Sequence, residues 1–358
     1  KYYFGDISLA SGNFILINER IPFADDSAEG AGREPYAIGV RHPRLLACSI
    51  PDRADKYFAL FRKAALLAAW AHCGRLGTQL GQLLEAPVPG AFPREAFRRI
   101  AEGDFQERWE SSRIRHLVLN TWQKLFPADV ANAAFLAQLR RDALSVARYL
   151  PDVRQYILSS ADPYWGLYCS DIALQHYYYW RDGEGRVDCG LLNFQSLSMG
   201  HVCECFRGLH TAPGDTRVEH ARGFVRYFTD TLRDFGGPQL DAEEVFLQVS
   251  LYDMAAIIRA ILDTAQTVYA MVPQDQWSAI SSRQDPVFLA ERHITYSLRG
   301  CLAAIVDGIV AWKGLRYHEQ FAKWKASMEL LPLDDKLRKR LAACGCRRLR
   351  SGSSPVPS

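Results

Sequence analysis

Residues 165–206, WGLYCSDIALQHYYYWRDGEGRVDCGLLNFQSLSMGHVCECF, constrain the fold more than any other part of the chain. They read as a strand (WGLYCS), a tight loop, a second strand starting at YYYW, a turn at Arg181-Asp182-Gly183-Glu184-Gly185, and a third strand, VDCGLLNF. Helical patterns lie on both sides of this segment and none lies between its strands. A parallel sheet built from crossovers needs helices alternating with strands. The fold class expected is therefore α+β, mostly helical, with a short β segment set into a helical protein.

The flanking sequence fits that order. Residues 1–23 alternate as strands do, with KYYFGDISL and NFILINERI joined by Ala10-Ser11-Gly12. Residues 24–51 read as loop or linker, opening with the polar ADDSAEGAGREP. From Asp52, placed to cap a helix, Tyr57, Leu60, Phe61, Ala64, Ala65, Leu67 and Ala68 mark one apolar face. The Pro/Gly-rich EAPVPGAFP at 85–93 breaks the pattern. Two or three helices follow over 94–150, one carrying Ile114, Leu117, Val118, Trp122 and Leu125, and Pro151 is expected to end this block. Helices resume after Gly200. Arg217–Phe235 stops at Gly236-Gly237-Pro238. Asp241–Val272 opens on a capping box, Asp241 with Glu244, and carries Val245, Phe246, Val249, Leu251, Met254, Ile257, Ile258 and Ile261 on its apolar face. Two more helices cover 287–330. The domain reading is a strand pair (1–23), a linker (24–51), a helical body (52–343) and a basic, polar tail (344–358) whose last ten residues are expected to be disordered.

A chain of 358 residues with 48% hydrophobic content buries a sizeable core, and a net charge of +3 does not by itself propose a nucleic-acid partner. No apolar run is expected to reach the ~18–20 residues that span a bilayer. KYYFGDISLA lacks the pattern of a signal peptide, and a start at Lys1 suggests a processed product or part of something longer. Nine cysteines, an odd number at irregular spacing, read as reduced thiols and an intracellular location, in the cytoplasm or an organelle rather than secreted. The basic run Lys336, Arg338, Lys339, Arg340, Arg347, Arg348 and Arg350 has no aromatic interleaving; it reads first as a solvated helix end and tail, and segment 336–350 otherwise suits docking onto an acidic surface rather than RNA.

The strand ends carry chemistry-bearing residues. Asp171 follows the first strand, His176 stands where the second begins, and Asn193-Phe194-Gln195 ends the third. In phosphoryl transfer an Asp orients the attacking hydroxyl, while an Asn a few residues on and an Asp on the next strand pair hold the metal ions.

On these residues the segment resembles the aminoglycoside phosphotransferase/choline-kinase-like superfamily, in particular its ecdysteroid-kinase-like branch. That branch carries H-G-D-x-H-x-x-N, then D-F-Q or D-W-Q, then a Gly and an acidic residue opening a helix. Phe194-Gln195 matches the D-F-Q ending, and Gly200 with Glu204 follows. LINERIPF (residues 16–23) resembles the family's hinge, which makes Glu19 a cofactor-contact position. AAWAHC resembles its LA-x-LHA helix, with His72 at the family's His. The resemblance implies a protein-kinase-like C-lobe with a truncated N-lobe.

The departures matter as much as the matches. The family's first His and Gly are Cys169 and Ser170, its Asp is kept as Asp171, and its second His is Ala173. Its metal-binding Asn and Asp are His176 and Asn193. Magnesium prefers hard oxygen ligands. The resemblance therefore implies a catalytically degenerate, pseudokinase-like protein that serves as an interaction or structural subunit of a larger assembly. It implies protein partners and no cofactor. The alternative is an ATP-dependent phosphotransferase acting on a small-molecule hydroxyl, with Asp171 as base and Mg-ATP as cofactor.

Two further clusters are read as structural. His201, Cys203, Cys205 and His210 lack the C-x-x-C pairs of a zinc site, and Cys344 with Cys346 has no second cluster to complete four ligands. Tyr177-Tyr178-Tyr179-Trp180 reads as a strand buried on one face.

Overall fold

The computed structural model describes residues 2–7, 14–18, 37–38, 52–76, 105–158, 162–169, 174, 177–191, 197–265 and 298–329. Of the described residues 75% are helical, and the strands form small antiparallel sheets. The mostly helical α+β reading holds.

β1 (Tyr2–Ile7) and β2 (Phe14–Asn18) form the expected opening hairpin, with Ile7 opposite Phe14. β3 (Ala37–Ile38) falls inside the stretch read as linker. β4 (Trp165–Cys169), β5 (Tyr177–Arg181) and β6 (Val187–Leu191) lie where the pattern puts them. β7 (Leu197–His201) is an addition, since the sequence reading passes straight from the third strand to helix. Its residues, LSMGH, have little strand propensity of their own. They extend because they pair residue by residue with β4, from Trp165↔His201 to Cys169↔Leu197.

The helices are α1 (Arg53–His72), α2 (Phe105–Ser112), α3 (Ile114–His116), α4 (Ala133–Leu158), α5 (Gly214–Asp234), α6 (Ala242–Arg259), α7 (Leu298–Gly314) and α8 (Tyr317–Glu329). α3 runs on into a π-helical turn at Leu117–Thr121, and α6 does the same at Ala260–Thr264. Among these residues Ile114, Leu117, Val118 and Trp122 are buried as expected, while Leu125 is only partly so.

Side chains close into two cores. The first takes α1, β4–β6, the 3-10 helix Val202–Thr211, α5 and the first turns of α6. The second takes α2–α4, the rest of α6, α7 and α8. α6 serves both: Val245, Phe246 and Val249 face the first core, and Leu251, Met254, Ile257 and Ile258 the second. A helix used on opposite faces is apolar all round. That explains why Ala242–Asp263 is long and apolar enough to cross a membrane although its most apolar part is mostly buried inside the protein. It is a core helix, not a clear transmembrane segment.

α1 buries Tyr57, Leu60, Phe61, Ala64, Ala65 and Ala68, as their spacing predicts; Leu67 is only partly covered. Phe61 stacks on Phe206 at 5.0 Å and meets Phe224 of α5 at 5.3 Å. α1 and α5 run parallel along their full length. At their N-terminal ends Arg53 donates to Thr216 Oγ1 at 2.7 Å, midway the Phe58 and Phe224 rings are 4.7 Å apart, and at their C-terminal ends the Cys73 thiol donates to the Gly236 carbonyl at 3.1 Å. α5 ends as its Gly-Gly-Pro signal predicts: Gly236 takes φ +91°, its N–H bonds Arg233 O, and Gly237 N–H bonds Leu232 O.

Three local expectations need correction. Asp52 precedes α1 but does not cap it with its side chain. Its backbone is left-handed (φ 53°, ψ 35°), whereas a side-chain cap needs the extended region, and its carboxylate pairs with Arg181 instead. Pro151 does not end a helix; α4 continues through it to Leu158. Pro151 is exposed, and burial of Val153 and Ile157 beyond it offsets the lost backbone bond. At α6, Asp241 caps by accepting from Glu243 N–H at 2.9 Å, but Glu244 Oε1 accepts from Tyr156 OH and Gln248 rather than completing the box.

Candidate functional site

The β segment consists of two antiparallel ladders, β4 with β7 and β5 with β6. Cys169 pairs with Leu197 at one end of the first, and Tyr177 with Leu191 at one end of the second. The chain leaves the first ladder at Cys169 and enters the second at Tyr177. It leaves the second at Leu191 and returns to the first at Leu197. Segments 170–176 and 192–196 are therefore anchored on the same two ladder ends. The first carries Asp171 and His176, the second Asn193. Those three residues lie outside the described residues, as does Glu19.

α1 holds the two ladders together. Near its start Asp52 pairs with Arg181, and the Lys56 ammonium lies 5.7 Å from the centre of the Tyr179 ring. One to two turns on, Lys63 Nζ pairs with Asp188 Oδ1 at 2.9 Å and lies 5.7 Å from the Trp180 ring centre. At its end the His72 ring rests on β4 where Gly166 leaves room; a Cβ there would meet His72 Nε2 at 2.7 Å. Partial burial pushes the His72 pKa down, so the ring is neutral near pH 7.

The hairpin β5–β6 has the one buried face its aromatic run predicts. Tyr177 and Tyr179 point into the first core, while Tyr178 and Trp180 stack on the other face at 5.4 Å. Tyr178 lies across Gly190, where any side chain would strike the ring. The turn is fixed by Asp182, whose Oδ1 accepts from Glu184 N–H and Arg186 N–H, both at 2.9 Å.

Beyond the ladders, Gly200 and Glu204 are coupled: the Glu204 carboxylate folds back to within 3.2 Å of where a Cβ of Gly200 would stand. Burial raises the Glu204 pKa, and Arg207 partly opposes the rise. His201 is fully buried. Its Nδ1 accepts from Cys203 N–H at 3.2 Å, which leaves the proton on Nε2, and Nε2 has no partner. Tyr164 lies parallel to its ring and Trp165 edge-on. Burial lowers the His201 pKa to about 3.

Cys203 and Cys205 are buried cysteines, and burial pushes the Cys203 pKa up. Among the described residues no three or more His, Cys, Asp or Glu side chains are grouped to hold a metal ion. The side chain of His210 and both Cys344 and Cys346 lie outside those residues, as does the basic run 336–350.

Away from the ladders, α4 and α6 leave a shallow apolar hollow open to solvent, lined by Leu150, Val153, Ile157, Leu251, Tyr252 and Ala255, with Arg154 at its side. The sequence reading also passed over a buried polar group in the second core: Arg217 and Asp253, with Tyr317 donating to Asp253. A lone Asp inside the apolar run of α6 was the available signal.

Compared with known proteins, the chain matches no family model, no curated protein and no solved structure.

Proposed function

We propose that this chain is a catalytically degenerate kinase-like protein that serves as an interaction or structural subunit of a larger assembly. The observation that carries the reading is the shared anchoring of segments 170–176 and 192–196 on the ends of two antiparallel ladders. A phosphotransferase needs that arrangement: one loop brings the base and one metal ligand, the other the second metal ligand. His72 against β4 and Glu204 over Gly200 agree with it, because His72, Gly200 and Glu204 stand at positions that the resemblance singles out.

The donor set argues against chemistry. An imidazole at 176 and a neutral amide at 193 fit a magnesium ion poorly, since such sites use hard oxygen ligands with at least one carboxylate. The rival reading, phosphoryl transfer to a small-molecule hydroxyl with Asp171 as base, is favoured by one observation, the retained Asp171.

Thermal unfolding with millimolar ATP, with and without magnesium, tests both. Ligand at about 100 times its Kd stabilises by roughly 2.7 kcal/mol. The wild-type chain is expected to give no magnesium-dependent shift, and the double variant His176→Asn/Asn193→Asp to gain one. A wild-type shift that disappears in Asp171→Ala overturns degeneracy. Absence of a shift in both proteins overturns the kinase-like geometry.

A further inference from the structure

We draw no further inference here: the strongest candidate, the apolar hollow between α4 and α6 lined by Leu150, Val153, Ile157, Leu251, Tyr252 and Ala255, is an unpartnered apolar surface, and nothing in the structure shows what covers it.

Discussion

The Arg217 guanidinium of α5 and the Asp253 carboxylate of α6 form an ion pair closed to solvent, their side chains 2% and 6% exposed. Tyr317 of α8 donates to the same carboxylate oxygen, and Asp307 of α7 accepts from the Gly214 N–H that opens α5 at 3.0 Å. Four helices thus meet at one buried polar cluster.

Removing one member of this pair strands the other in the core. Asp253→Ala is expected to cost roughly 3–5 kcal/mol in urea unfolding, and Arg217→Met a similar amount. The double variant Arg217→Met/Asp253→Leu should recover most of that loss, because a desolvated pair often stabilises no more than an apolar replacement. Strictly additive costs would show that the two residues are not coupled.

The same substitution at three tyrosines separates satisfied from unsatisfied hydroxyls. Tyr168 and Tyr179 are buried and their hydroxyls have no partner. Tyr317 is equally buried, but its hydroxyl donates to Asp253. Tyr168→Phe and Tyr179→Phe should be neutral or stabilising by up to about 1 kcal/mol, and Tyr317→Phe destabilising by about 1–3 kcal/mol. Midpoints from chemical denaturation decide the sign in each case.

His201 makes stability depend on pH in a definite direction. Its pKa is about 3 in the folded protein against 6.5 for a free imidazole, so below pH 6.5 the unfolded chain binds a proton that the folded one refuses. Its contribution is complete above pH 6.5 and declines as pH falls, by about 1.4 kcal/mol per unit, until the folded value is reached. Unfolding free energies measured from pH 4 to 7 should show a steeper fall for the wild type than for His201→Asn, which keeps a capping oxygen but does not titrate. Parallel curves would show that other groups set the acid limb.

Pro151 stands on the exposed side of α4 with helix on both sides. Pro151→Ala restores a backbone N–H and raises local helix propensity. A gain of about 1–2 kcal/mol is expected, reduced somewhat because the unfolded chain becomes looser. A lower melting temperature would mean that the helix depends on the bend proline imposes.

What was legible in the sequence followed from periodicity. The stripe of α1, the alternation of β5 and the glycine stop of α5 each depend on near neighbours in the chain, whereas the single apolar face read for α6 is divided between two cores. What was missed depends on distant partners. β7 is a strand because β4 lies beside it, Asp52 turns away from α1 because Arg181 stands 129 residues further on, and α4 outlasts Pro151 because its far turns are buried in the second core. At the candidate site, the strands and the aromatic face were readable. The return of both loops to common anchors was not, because it depends on which strands pair.

The parallel packing of α1 on α5 also has a consequence for biosynthesis. Partner positions on the two helices are about 163 residues apart in sequence. At translation rates of ~5–20 residues per second, α1 emerges roughly ten to thirty seconds before the residues that cover its Tyr57, Leu60 and Phe61. Closing so long a loop then costs on the order of 4 kcal/mol beyond the fixed term. During that interval the apolar face of α1 is exposed at the ribosome, so the yield of folded protein depends on what shields α1 while it waits.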